Sequence, residues 1–511
     1  MMNGLLRNAT TRLGVGLCAT ALVLAACGGE SGSSADADSL TVALGGDPLT
    51  INPYDFKAGV NFYAHRQWYE TLLTRDKKGE LVPSLAEGYE VSDDGLVYTF
   101  NLRDGVTFHD GSAMTSEDVK FSIERFADPE VMPYAFLLGA MKSVETPDDL
   151  TVVVTFTEPN PQFLSGAGLT FIVPSEIGDQ PAGYLDDQEI GTGPVQLVER
   201  RKGEGWTMKR YDDYWGDAAG YQNIEVKIIP DANGRVSALR SGQVDFIAPV
   251  PPQNVGQLED QFTVSSTIDG GALGITFDLL TKGEAGVVAD QNVRRALDLA
   301  IDRGPIIETA LAGLGGEYAG VGAQNAGFDD VSATPYDPDE ASRLIKEAGA
   351  EGATVKLYVP KNGRIVNSEQ VGQAVAGYWD AVGIKTDLQL ISYEEWIDRE
   401  KNGPAQTYLS SFPDDFTWNP LVRIQSFYGC NGDNSNQCDE GFDRLVAEAG
   451  RAPTDEAFTQ GYVAATQYVQ DKSMGIQLYQ AKSAFAMDKS VCWEPNLGRS
   501  IPLLSQVAPC G

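Results

Sequence analysis

Histidine is scarce in this chain: 511 residues contain two, His65 and His109. A serine nucleophile activated by histidine would have to use one of them, yet the sequence has no G-x-S-x-G turn and no H-E-x-x-H helix. Carboxylates are plentiful, but nothing singles out a pair for glycosidase-type chemistry, so no catalytic residue is assigned. Basic residues are also few. With 38 Lys and Arg against 72 Asp and Glu the net charge is -34, which argues against nucleic acid as a partner. Six cysteines occur without C-x-x-C spacing and away from both histidines, so a zinc site is not expected and no other metal or cofactor is implied. Beyond residue 24 no apolar run approaches the roughly 20 residues that span a bilayer. Internal repeats are absent too.

What is present begins at the start of the chain. Arg7 and Arg12 precede an apolar stretch from Leu13 to Leu24, long enough for a secretory h-region and too short to cross a membrane. Leu24-Ala25-Ala26-Cys27 follows, the layout of a bacterial lipoprotein signal, with Cys27 as the new N-terminus and lipid acceptor. An ordinary cleaved signal with an incidental cysteine is the alternative. Residues 1–26 are therefore read as the leader and residues 27–38, small and polar, as a flexible tether. Losing Arg7 and Arg12 leaves 36 basic against 72 acidic residues, a net charge of -36. Such acidity favours solubility and says little about fold.

With Cys18 in the leader and Cys27 assigned to lipid, Cys430, Cys438, Cys492 and Cys510 remain. An even number in an exported chain points to two disulfides. Proximity favours Cys430 with Cys438 and Cys492 with Cys510, although three connectivities are open.

The patterning is mixed α and β, and the length implies more than one lobe. Tyr98, Phe100 and Leu102 alternate with polar residues after the turn Asp93-Asp94-Gly95, which predicts an antiparallel hairpin with Tyr89-Glu90-Val91. Thr115 with Asp118 predicts a capped helix presenting Val119, Ile123 and Phe126 on one face. Strand, helix, strand order appears at Ile224 to Ile228, Val236 to Leu239 and Val244 to Ile247. It recurs at Val355 to Val359, Ser368 to Val382 and Ile384 to Leu390, and both sets predict βαβ units with parallel strands. Two amphipathic helices lie between them: Val293, Ala296, Leu297, Ala300 and Ile301 make one stripe, and Ala341, Leu344, Ile345 and Ala348 make another, opened by Asp337-Pro338 and closed by Gly349. Both stripes are read as core packing.

Several segments in order along the chain resemble the family 5 solute-binding proteins of bacterial ABC importers, the peptide and nickel type. They are Tyr69-Glu70-Thr71-Leu72, Pro83-Ser84-Leu85-Ala86, Leu102 through Gly111, Thr115-Ser116-Glu117-Asp118-Val119, Gly191-Thr192-Gly193-Pro194, Tyr214-Trp215-Gly216, Leu239 through Asp245, Val293 through Leu297 with Ile301-Asp302-Arg303, and Tyr336-Asp337-Pro338 through Gly349. The resemblance implies an α/β two-lobed periplasmic-binding-protein (Venus-flytrap) fold with an extra subdomain inserted in lobe I. Lobe I would take residues 39–66, 188–270 and 480–511, the insertion 67–187, and lobe II 271–479. The chain would cross between lobes near Gly270 to Phe277 and near Leu478 to Gln480.

It also implies a function: capture of short peptides between the lobes and delivery to a membrane permease with its ATPase subunits, by a lipid-anchored monomer at the outer face of the cytoplasmic membrane. An oligosaccharide or another small polar solute is the alternative cargo, and a secreted hydrolase a remote one. Peptide binders of the family hold the ligand's amino terminus with a loop aspartate, and the matching stretch here is Phe412 to Pro420. That makes Asp414 and Asp415 candidates, although Phe412 stands where the family has tryptophan and Asn419 where it has an acidic residue. Lys361 and Arg364, in a loop after a strand, are candidates for a ligand carboxylate. Phe62, Tyr63, Phe412, Trp418 and Tyr428 are candidate cleft aromatics. Turn residues, a solvated basic loop and core aromatics are the corresponding structural readings.

Overall fold

The computed structural model describes residues 38–48, 50–55, 59–181, 183–280, 285–361, 365–402, 406–412, 419–432, 434–497 and 502–511. The leader, Cys27 and the tether up to residue 37 lie outside them.

Among the described residues, eleven strands form one mixed sheet. From one edge the order is Lys385–Ile391, Thr354–Pro360, Thr407–Phe412, Thr263–Phe277, Gly475–Met487, Phe246–Ala248, Ser39–Leu44, Asn223–Ile228, Gly205–Arg210 and Val195–Arg201, with the short Gly315–Gly316 beside Gly475–Met487. Both expected βαβ units are present. In Asn223–Ile228, Ile224 and Val226 are buried while Asn223 and Glu225 are exposed, the period-two pattern of a half-buried strand. The following helix, Ala232–Arg240, starts at Asp231, whose side chain accepts from the Gly234 amide at 2.5 Å. The chain then turns back through Gly242 at φ +69°, which suits a residue without Cβ. Its return strand, Phe246–Ala248, does not pair with Asn223–Ile228; Ser39–Leu44 lies between them, parallel to both. The second unit, Thr354–Pro360, Ser368–Ala381 and Lys385–Ile391, pairs its strands directly in parallel.

The predicted hairpin is Ala86–Val91 with Val97–Leu102, Val91 opposite Tyr98. Thr151–Phe156 and Met141–Asp148 extend it into a separate four-stranded antiparallel sheet. Against it packs Ser116–Phe126, burying Val119, Ile123 and Phe126, and the Thr115 amide donates to Asp118 Oδ2 at 2.8 Å at its start. Trp68, Phe100 and Phe163 of this region share one continuous core with Val42 and Val226 of the large sheet. Gln291–Leu299 and Pro338–Glu347 bury their apolar stripes in a second core with Val355 and Leu357, and Trp379 Nε1 donates to the Leu297 carbonyl at 2.9 Å. A third core gathers the helices Pro420–Tyr428, Glu440–Ala449 and Asp455–Asp471.

Two long strands carry the large sheet across its middle. Thr263–Phe277 and Gly475–Met487 run antiparallel, with Thr263 opposite Met487 and Thr276 opposite Gly475. One end of the pair adjoins Phe246–Ala248 and the other Thr407–Phe412. Between those ends the register slips twice, at Ile268/Ala272 and at Leu273/Gly274. Such bulges interrupt the ladder and increase local twist. The cysteines pair as Cys430–Cys438 and Cys492–Cys510, the second beside the short ladder of Val491–Cys492 with Ala508–Pro509.

Candidate ligand-binding site

Several of the segments that carry the family resemblance converge on one buried junction. The Glu70 carboxylate accepts from Thr192 Oγ1 (3.0 Å), Tyr214 Oη (2.8 Å) and Trp215 Nε1 (2.9 Å). Burial pushes its pKa up, and the three donors hold it back. Arg103 lies over the Trp215 ring at 4.5 Å. Nearby, His109 Nδ1 meets Glu189 Oε1 at 2.7 Å and Nε2 meets the Gly193 carbonyl at 2.8 Å. Both neighbours are acceptors, so both ring nitrogens donate and the imidazole is cationic. Burial opposes that charge, but the Glu189 carboxylate outweighs it and His109 stands above its ordinary pKa. Gly191 and Gly193 let the chain pass against the Trp68 carbonyl oxygen, which a Cβ would approach to 2.0 and 2.6 Å. The carboxylates of Glu70 and Glu189 and the His109 ring are met by protein groups. The cluster fastens the segment carrying the four-stranded sheet to the large sheet.

A second polar cluster lies where the long strands slip register. Gln480 Oε1 accepts from the Ala323 amide at 2.9 Å, which fixes the orientation of its side-chain amide, and Gln480 Nε2 donates to Gln324 Oε1 at 2.7 Å. Gln477 Nε2 donates to Tyr428 Oη at 2.8 Å, and the Gln477 carbonyl accepts from Arg303 Nε at 2.7 Å. Arg423 Nη1 donates to Tyr318 Oη at 3.1 Å, with both side chains buried. Buried amides and a guanidinium in an otherwise apolar interior are costly unless hydrogen-bonded, and here they tie the Tyr318–Asn325 loop and the Pro420–Tyr428 helix to the middle of the sheet.

The residues nominated from sequence are distributed unevenly around this region. Phe412 is buried, its ring 4.5 Å from Phe427 in an edge-to-face contact and 6.2 Å from Tyr318. Tyr428 is buried in the same core, and burial raises its pKa far above the ordinary tyrosine range. Phe62 packs in a different core, 5.5 Å from Phe171. Lys361 is exposed, and its amide donates to the Ile391 carbonyl at 2.8 Å. Phe412 and Tyr428 thus share one cluster, and Phe62 belongs to another. Asp414, Asp415, Trp418, Arg364 and the side chain of Tyr63 lie outside the described residues. Arg423, Tyr318, Gln324 and Gln480 were not singled out from sequence. An arginine inside the apolar helix Pro420–Tyr428 was the one available signal, and it resembles a solvated charge until the tertiary contacts are known. Among the described residues no group of His, Cys, Asp or Glu gathers to hold a metal ion, and no helix is long and apolar enough to cross a membrane.

A large sheet carried across its middle by two strands, with a smaller sheet fastened to one side, is the architecture of a two-lobed periplasmic binding protein. Residues 80–435 match the bacterial extracellular solute-binding proteins, family 5 Middle, and the chain belongs to that family. It is 29% identical over 480 residues to the dipeptide-binding protein of Escherichia coli K12, covering 86% of this chain and 87% of the relative. It is 28% identical over 479 residues to di/tripeptide-binding protein 1 of Pseudomonas aeruginosa UCBPP-PA14, covering 85% and 88%. The fold is also that of the periplasmic binding protein DppA from Helicobacter pylori in complex with the peptide STSA, with a TM-score of 0.75, 22% identity and coverage of 92% of this chain and 98% of that one.

Proposed function

We propose that this chain is the lipid-anchored receptor of an ABC importer for di- and tripeptides. The observation that carries the reading is the similarity, over most of the length of both partners, to proteins named for dipeptide and di/tripeptide binding. Lobe I is assigned to residues 39–66, 188–270 and 480–511, the insertion to 67–187 and lobe II to 271–479. The slipped register of the two long strands supports a hinge there, since a broken ladder bends more readily than a continuous one.

The mechanism follows from differential contact. Ligand touching both lobes only when they approach favours the closed form by the free energy of those contacts. A permease then distinguishes loaded from empty receptor by shape, and no covalent bond changes. Asp414 or Asp415 pairs with the ligand ammonium, a charge-assisted bond of the stronger kind, and Arg364 or Lys361 serves the ligand carboxylate. Lipid on Cys27 keeps the receptor near its permease and raises the effective concentration there.

Titration calorimetry with di- and tripeptides tests the cargo. Replacing both Asp414 and Asp415 by Ala should weaken binding by about thirtyfold or more, the scale for removing one partner of a desolvated charge pair, with little change in melting temperature. Binding of oligosaccharides and no peptide would overturn the reading. For the anchor, Cys27→Ser should move the protein from the membrane fraction to the soluble fraction.

A further inference from the structure

We propose that the inserted subdomain is a latch on the closed receptor, with Gln162 as its positioning residue. The inference rests on the closing-receptor reading and adds a third body to it. Asn419 Nδ2 donates to Gln162 Oε1 at 2.8 Å, and Arg451 Nε lies 3.7 Å from Glu158 Oε2. Val422 packs against the core that contains Phe100 and Phe163, and a Cβ on Gly95 would sit 3.7 Å from the Pro453 carbonyl oxygen. These contacts join residues 95–162 to residues 419–453. The backbone passes between the two sides of the molecule through the long strands, far in sequence from this seam.

The seam differs in kind from the junction around Glu70 and His109. That junction is buried and tied by several hydrogen bonds, so the insertion moves with the first part of the sheet. Among the described residues the seam includes the Asn419–Gln162 hydrogen bond, an exposed ion pair and the packing of Val422, and a pocket of about 190 Å³ opens to the surface between Tyr89, Tyr98, Pro159 and Pro161 on one side and Pro453 and Asp455 on the other. A seam parted by a surface pocket lacks the close packing of an interior, and an exposed ion pair adds little. Contacts of this strength form and part reversibly. Rotation about the slipped strand pair separates the two sides of the seam, and closure brings them together.

The orientation of Asn419 is set independently of Gln162. Asn419 is the N-cap of Pro420–Tyr428, and its Oδ1 accepts from the Leu421 amide at 3.1 Å. Its Nδ2 is therefore the donor that faces Gln162. The insertion supplies the acceptor, and each closure makes that bond anew. A receptor lacking it closes on ligand but releases it sooner.

The test uses paired spin labels at Glu90→Cys and Ala447→Cys, both exposed positions, on a Cys27→Ser background, read by pulsed electron resonance. The ligand-free protein should show two distance populations, and an equimolar mixture of di- and tripeptides should collapse them to the shorter. Gln162→Ala should reduce the short-distance population of the ligand-free protein about fivefold, the weight of one neutral hydrogen bond, and speed peptide release by a similar factor, with melting temperature unchanged. Gln162→Glu keeps an acceptor and should restore both. A single short distance without ligand, or populations indifferent to Gln162→Ala, would overturn the latch and leave a static brace. Two populations that respond to Gln162→Ala but ignore the peptide mixture would support the latch and remove the peptide reading alone.

Discussion

The two histidines sit in opposite electrostatic situations. His65 is fully enclosed near Tyr69 and Phe171, and its Nε2 meets the Thr50 carbonyl at 3.0 Å. Burial pushes its pKa down to about 4 from 6.5. A base with a depressed folded pKa stabilises the native state above its unfolded pKa, and that contribution is lost as pH falls from 6.5 toward 4. The shift corresponds to about 3 kcal/mol. Replacing His65 by Gln keeps a donor for Thr50 and removes the titration, so the stability lost between pH 6.5 and pH 4 in urea titrations should shrink by that order. His109 has the reverse sign: its raised pKa contributes fully below 6.5 and is lost as pH rises through the folded value. Little of this was legible in sequence. Glu189 is 80 residues from its partner His109. Arg423 and Tyr318, 105 residues apart, met for the same reason only in three dimensions. The disulfides were readable because each closes a short separation, 8 and 18 residues.

At the scale of elements, local periodicity was a reliable guide, and the pairing of strands distant in sequence was not legible. The Val97–Leu102 hairpin, the Thr115 cap and both amphipathic helices follow from patterns within a dozen residues, and the structure has each of them. The insertion of Ser39–Leu44 between two strands of a βαβ unit, and the continuous run of Thr263–Phe277, depend on pairings more than a hundred residues apart. The family segments read in order along the chain proved to be joints. Tyr69 to Leu72, Gly191 to Pro194 and Tyr214 to Gly216 meet at Glu70 and the Trp68 carbonyl. Substituting Gly193 by Ala should therefore cost about 1–3 kcal/mol through overpacking, and Trp215→Phe should cost a similar amount by taking one donor from a buried carboxylate. Urea denaturation measures both. An unaffected midpoint for Gly193→Ala would mean that the Trp68 segment yields freely.

At the scale of the whole molecule, composition narrowed the possibilities and topology gave them a mechanism. Acidic excess argued against nucleic acid, while scarce histidine and the absence of a nucleophile motif argued against the common hydrolase arrangements. Neither identified a cargo. The candidate ligand contacts Asp414 and Asp415 came from resemblance, not from patterning, because recognition of one ammonium group needs few residues and leaves no periodic trace. The proposed mechanism turns on two lobes closing on a short peptide. Native mass spectrometry of the receptor purified from its producing cells, without refolding, tests that most directly. A series of added masses matching di- and tripeptides, lost on partial unfolding, is the predicted result; a carbohydrate mass in their place would contradict it.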